Sequence, residues 1–174
     1  MNYKFCPYCG GVLKEKCFDR TQRHYCRSCD RILYRNPTVG VAAILVEDNR
    51  LLLVRRAGSY RGQWCIPCGH VEWDEDIRVA AHRELLEETG IDARIGRVFA
   101  AHSNFHDRHR QTVGIWFWAE RVGGTLQAGS DASQARFFDV NELPDQMAFP
   151  TDRRVCHLLR ERIASGSIRS WIKK

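Results

Sequence analysis

The stretch GHVEWDEDIRVAAHRELLEETGI, residues 69–91, decides how the rest of the chain is read. Residues 76–89 predict a helix. It opens among the acids of 72–76, which suit the positive end of a helix dipole, and it stops at Gly90, a natural C-terminal cap. Ile77, Ala80, Ala81 and Leu85 fall on one side. Glu84, Glu87 and Glu88 are three and four positions apart, so they share one helical face beside the apolar side. Like charges packed this closely repel unless a cation lies among them, and clustered hard oxygen ligands suit Mg²⁺ or Mn²⁺. Such a site can activate water against phosphorus. Arg83 can pair with one of the acids, and Glu75 can fold back toward them. Spacing alone leaves a second reading open: a solvated acidic face balanced by Arg78, His82 and Arg83.

Working outward, TVGVAAILV (38–46) reads as a buried strand and LLLVRR (51–56) as its return, with a turn at 47–50. A loop occupies 57–71. Strands are expected at about 94–102, 112–122 and 135–140, with a turn at Gly123 and Gly124. In 112–122 both alternating faces are apolar, as in a strand covered on both sides. A closing helix is expected over 152–164. The residue before a proline is pushed out of helix, so Asn36-Pro37 marks a boundary. The expected domains are 1–36 and 37–174.

Five of the eight cysteines lie in the first 29 residues. Cys6-Pro-Tyr-Cys9 and Cys26-Arg-Ser-Cys29 are two CxxC pairs separated by sixteen residues. That spacing predicts a closed, structural, four-thiolate Zn²⁺ site in a small β-rich ribbon. So short a segment cannot fold on an apolar core alone, and metal supplies the missing stability. The alternative is a pair of disulfides or redox motifs. Cys65-Ile-Pro-Cys68 is a third CxxC, but a proline-containing loop is a poor place for a closed metal site. Cys17 reads as a bystander and Cys156 as core.

The chain has 174 residues, 44% of them apolar and 28% charged, with a net charge of +6. That composition suits a soluble globular protein with a real core, and the charge suits a polyanionic partner. No run approaches the roughly 18 apolar residues of a membrane span. No secretory signal is evident at the N-terminus, so the cytoplasm is the expected compartment.

Residues 69–91 match the Nudix box: Gly, five residues, Glu, seven residues, Arg-Glu-aliphatic, one residue, Glu-Glu, one residue, Gly-aliphatic. Gly69, Glu75, Arg83, Glu84, Leu85, Glu87, Glu88, Gly90 and Ile91 all agree, and Trp64-Cys65-Ile66-Pro67 is similar to the lead-in to that box. The chain thus resembles the Nudix hydrolases with an N-terminal zinc ribbon. The resemblance implies an α/β (α+β) fold, an α-β-α sandwich with a mixed sheet, and hydrolysis of a pyrophosphate bond. It also implies roles. Glu87 and Glu88 would be the main metal ligands, and Glu84 a further ligand or the general base. Arg83 would orient a carboxylate, and Glu75 would assist through the loop. The carbonyl of Cys68 would join the metal shell, although relatives usually carry a second glycine there. Many relatives have a further glutamate before the late strand; the comparable stretch here, 129–138, offers Asp131 and Gln134, of which Gln134 cannot act as a base, so Asp131 is one candidate and Glu120 another.

The order of ribbon, then sheet, is similar to enzymes that cleave ADP-ribose, FAD or NADH, which implies a small nucleoside diphosphate substrate. The alternatives are a pyrophosphatase that sanitises 8-oxo-dGTP or other NTPs, and a non-catalytic nucleotide or RNA binder using the ribbon. A homodimer is compatible with the resemblance. For substrate contacts the expected residues are Arg56, Arg61, Trp64, Phe105 and Asp131. Tyr60 and Trp116 are further stacking candidates, and Arg55, Arg108 and Arg110 further phosphate candidates.

Overall fold

A computed structural model describes residues 3–107 and 110–168; Arg108 lies outside them. The chain divides into two compact units, Met1–Pro37 and Thr38–Lys174. No helix among the described residues is long and apolar enough to cross a membrane.

The first unit is a three-stranded antiparallel sheet, β1 (Leu13–Phe18), β2 (Thr21–Cys26) and β3 (Arg31–Leu33), in that order. Asp19 and Arg20, both at positive φ, form the two-residue turn between β1 and β2, whose twist matches the flanking strands. Each CxxC pair ends in a left-handed residue, Gly10 after Cys9 and Asp30 after Cys29. The two pairs therefore turn the chain alike.

In the second unit β4 (Thr38–Glu47) and β5 (Arg50–Arg56) form a hairpin whose turn residues, Asp48 and Asn49, again have positive φ. The two strands pair only next to this turn. Farther along, β5 pairs β6 (Trp64–Cys65) and β4 pairs β7 (Cys68–His70). The segment expected as plain loop thus contributes two short strands and takes a hydrogen bond from Ala43 to Pro67 O.

The full order is β10 (Ala132–Asp139), β5, β4, β9 (Thr112–Gly124), β8 (Ile91–Asn104). Among the strand pairs of the described residues β4 and β9 alone run parallel, so the sheet is mixed. Gly123 and Gly124 do not form the expected turn; they extend β9 and pair with Asp92 and Ile91.

Alternation sends successive residues to opposite layers. Val41, Ala43, Leu45, Phe117 and Ala119 pack with Ala80, Ala81 and Leu85 of α1 (Ile77–Thr89). Ala42, Ile44, Trp116 and Trp118 pack with Val155, Cys156 and Leu159 of α2 (Pro150–Ala164). The result is the expected α-β-α sandwich, with Cys156 in its core.

Candidate active site

Helix α1 begins where the Asp76 carboxylate accepts from Arg78 N, and it ends at Gly90, whose N–H donates to Leu86 O at φ 67°. Between these caps the three glutamates are graded in exposure. Glu87 has a half-exposed side chain, Glu84 is mostly covered, and Glu88 is buried. Arg83 draws Glu84 and Glu87 together with Glu75. It donates to both oxygens of Glu75 at 2.8 and 2.9 Å, to Glu84 Oε1 at 2.8 Å and to His70 O at 3.2 Å, and lies 3.5 Å from Glu87 Oε2. Glu75 does fold back toward the helix. Its two oxygens are taken up by Arg83 and by Glu72 N, and the Arg83 hydrogen bonds hold its carboxyl down at about 2.

Strand β7 delivers the other wall. Cys68 N donates to Glu88 Oε2 at 2.9 Å. Burial raises the Glu88 carboxyl to about 9, helped by Cys65 and opposed by the Cys68 N–H. Gly69 follows, and the Glu84 carboxylate occupies the space a side chain there would need: a Cβ would lie 1.9 Å from Glu84 Cδ. The hydrogen bond to the Cys65 sulfur and burial push the Cys68 thiol well above its ordinary range.

These walls border a cleft of about 490 Å³, within the usual range for a small-molecule site. Glu84, Glu87, Gly69 and His70 line it, and so do Arg56, Arg110 and Asp131. Tyr60, His106 and Phe149 also line it, their rings edge-on or tilted at 5.4–5.6 Å. Thr151 belongs to the lining as well, and its buried Oγ1 has no hydrogen-bond partner among the described residues. Next to it Asp152 accepts from Ile66 N at 3.1 Å and Trp116 Nε1 at 3.0 Å, and burial lifts its carboxyl to about 7.

The sequence-based contacts divide. Arg56 and Asp131 line the cleft and pair at 3.2 Å, with Arg56 also over the Phe149 ring. Arg61 and Phe105 are exposed and outside the lining, and Trp64 packs edge-on against Phe138 in the core. Trp116 lines the cleft, but its indole N–H is committed to Asp152. Arg55 donates to Gly62 O. Glu120 is not in the lining and pairs with Arg94; Gln134 pairs opposite Arg55 in β10. Thr151, Asp152 and Phe149 were not singled out by sequence, although Pro150 at the first helical turn marks where they stand.

In the first unit the sulfurs of Cys6, Cys9, Cys26 and Cys29 lie within 4.8 Å of one another, a set compatible with zinc.

A carboxylate-bearing helix bordering a cleft with arginines, on an α-β-α sandwich, suits a divalent ion together with a phosphate-bearing ligand. The NUDIX domain family matches residues 35–159. The ADP-ribose pyrophosphatase of Methanocaldococcus jannaschii is 35% identical over 130 residues, 74% of this chain and 76% of that protein. The NAD-capped RNA hydrolase NudC of Vibrio atlanticus is 29% identical over 143 residues, 82% of this chain and 51% of that protein. The crystal structure of a NUDIX hydrolase from Nitrosomonas europaea shares the fold with a TM-score of 0.84, at 31% identity over 94% of each chain. The chain belongs to the Nudix family and is a Nudix hydrolase. Nudix enzymes generally use divalent metal ions and act on small nucleotide substrates.

Proposed function

We propose that this enzyme hydrolyses the pyrophosphate bond of a nucleoside diphosphate derivative of the ADP-ribose, FAD or NADH type. The observation that carries the reading is the joint lining of one cleft by carboxylates, by arginine and by a ring cluster beside an unpartnered buried hydroxyl. The first suit a metal-bound pyrophosphate. Arg56 and Arg110 suit its oxygens. Tyr60, His106 and Phe149 offer stacking surfaces, and Thr151 Oγ1 offers one hydrogen bond to a base or sugar edge.

The donors are all oxygens, which fits Mg²⁺ or Mn²⁺. Glu84, Glu87, Glu88 and the Cys68 carbonyl would hold the ion, which when bound polarises phosphate and lowers the pKa of water. Glu84 is both ligand and candidate base. Arg83 holds the Glu84 and Glu87 carboxylates in place and stays charged throughout. Glu75 braces Arg83, since both its oxygens are already engaged. Asp131 sets the direction of the Arg56 guanidinium.

The experiment is a panel of ADP-ribose, FAD, NADH, dNTPs and 8-oxo-dGTP in Mg²⁺, wild type against Thr151→Val. Cleavage of the first group, with KM raised several-fold in Thr151→Val and kcat little changed, is the expected result. Preference for the triphosphates would transfer the reading to nucleotide sanitising.

The four-cysteine cluster is proposed to hold one structural Zn²⁺ per chain. Metal analysis of the purified protein should give one zinc per chain, released by a strong chelator together with loss of folded signal from the first unit. A zinc content of zero with full folded signal would refute it.

A further inference from the structure

The sheet of the first unit has a face of basic and aromatic side chains, none of which lines the cleft. The β1–β2 register sets Lys14 opposite Tyr25, Lys16 opposite Arg23 and Phe18 opposite Thr21, and the β2–β3 register sets Tyr25 opposite Ile32. Because side chains alternate, Lys14, Lys16, Phe18, Arg23, Tyr25 and Ile32 share one face. None of them is buried. Lys16 Nζ stands 5.0 Å from the Phe18 ring centre and 4.5 Å from that of Tyr25, and these two rings are 5.8 Å apart. The Arg23 guanidinium lies 4.8 Å over Tyr34, which is 57% exposed.

Charge is segregated in the same way. Residues 1–37 contain eight Lys and Arg against three Asp and Glu, so they supply five of the chain's net +6. Of the three acids, Glu15 alternates onto the opposite face, and Asp19 sits in the β1–β2 turn. Asp30 follows Cys29 and accepts from Tyr25 Oη. A Zn²⁺ held by four thiolates would return two negative charges. Cys26, paired with Leu13, alternates onto the far face with Glu15.

We infer that this face binds single-stranded nucleic acid, with Lys14, Lys16 and Arg23 against the phosphates and the rings of Tyr25 and Tyr34 against the bases. A flat strand surface of rings stacks unpaired bases whatever their identity, and cations held among those rings meet the backbone as it passes. A plain polyanion would use the charges and ignore the rings. A duplex would leave the rings without an exposed base.

Fluorescence anisotropy of the zinc-loaded full chain with ten-nucleotide oligo-U, oligo-A and oligo-dT, at several salt concentrations, tests this. Binding of the single strands is expected, with log K falling against log salt at a slope of about −2, as three phosphate contacts give. Lys14→Gln with Lys16→Gln should weaken binding about tenfold or more and flatten that slope by about 1 to 1.5. Tyr34→Ala should weaken it about five- to fiftyfold and leave the slope unchanged. Both variants should keep their zinc and their hydrolysis of small substrates, because none of these residues lines the cleft. A preference for RNA or for DNA supports the inference equally. It is overturned if no oligonucleotide binds in low salt, if duplex binds better than single strands, or if Tyr34→Ala binds like wild type. Self-association of the chain that Tyr34→Ala abolishes, without oligonucleotide binding, would assign the face to a second copy and also overturn it.

Discussion

Gly69→Ala should fold with a nearly unchanged melting temperature and lose hydrolysis by about 10²- to 10⁴-fold, the range for removing a positioned general base, a role proposed here for Glu84. The added methyl would lie 1.9 Å from Glu84 Cδ and 2.0 and 2.2 Å from its two oxygens. Something must move, and the carboxylate at the end of a flexible side chain moves most readily. Gly69 is not among the positive-φ residues, so alanine adopts its backbone without strain. When Glu84 swings away it gives up its 2.8 Å bond to Arg83, whose side chain is 30% exposed. A partly exposed pair of this kind contributes roughly 0–1 kcal/mol. The damage is therefore to chemistry, not to the fold. Glu84→Gln should match the loss in kcat/KM without any steric change, since the amide can neither bind a divalent ion well nor accept a proton. Kinetics on the preferred substrate and calorimetry on both variants check this. Wild-type kcat/KM in Gly69→Ala would mean that Glu84 does not act from beside residue 69.

The glutamate face was legible because helical geometry needs only spacing: 84, 87 and 88 must share a side wherever the helix packs. Both two-residue turns and the Gly90 cap were of the same local kind, although only the turn at 47–50 and the cap were anticipated. The loop at 57–71 was not legible, because no period constrains irregular backbone. Two strands hide in it, formed only because β4 and β5 diverge beyond their turn. The same reason explains why Arg61 and Trp64 were expected at the cleft and are not there. The ring cluster joins residues 60, 106 and 149, which only the folded sheet brings together. Gly123 and Gly124 read as a turn, but pairing with the start of β8 kept them in strand. Asp152 was hidden differently. An acid in the first turn of a helix ordinarily reads as a partner for the helix dipole, and here it is a buried tether between three segments.

Asp152→Ala should destabilise the chain by about 2–5 kcal/mol, because two buried donors, Ile66 N and Trp116 Nε1, lose their acceptor together. The size of the loss should depend on pH in a definite direction. Burial raises the folded carboxyl to about 7 from an ordinary 3.8, against the opposing pull of its two donors and Arg56. A raised acid binds its proton more tightly when folded, so its contribution is complete below about pH 4 and is lost as pH rises through about 7. The alanine variant lacks this dependence. The stability gap between wild type and Asp152→Ala, measured by urea unfolding, should therefore be wider at pH 5 than at pH 8. A gap that widens with pH would show that the two hydrogen bonds outweigh burial and that the ionised form is the favoured one. Asp152→Asn should fall between the two, since its carbonyl can serve one donor while its amide faces the other. Activity should fall with stability here for a geometric reason: Ile66 stands just before Cys68 and Gly69, and the acceptor that holds its N–H also holds the strand on which the Glu84 and Glu88 contacts depend.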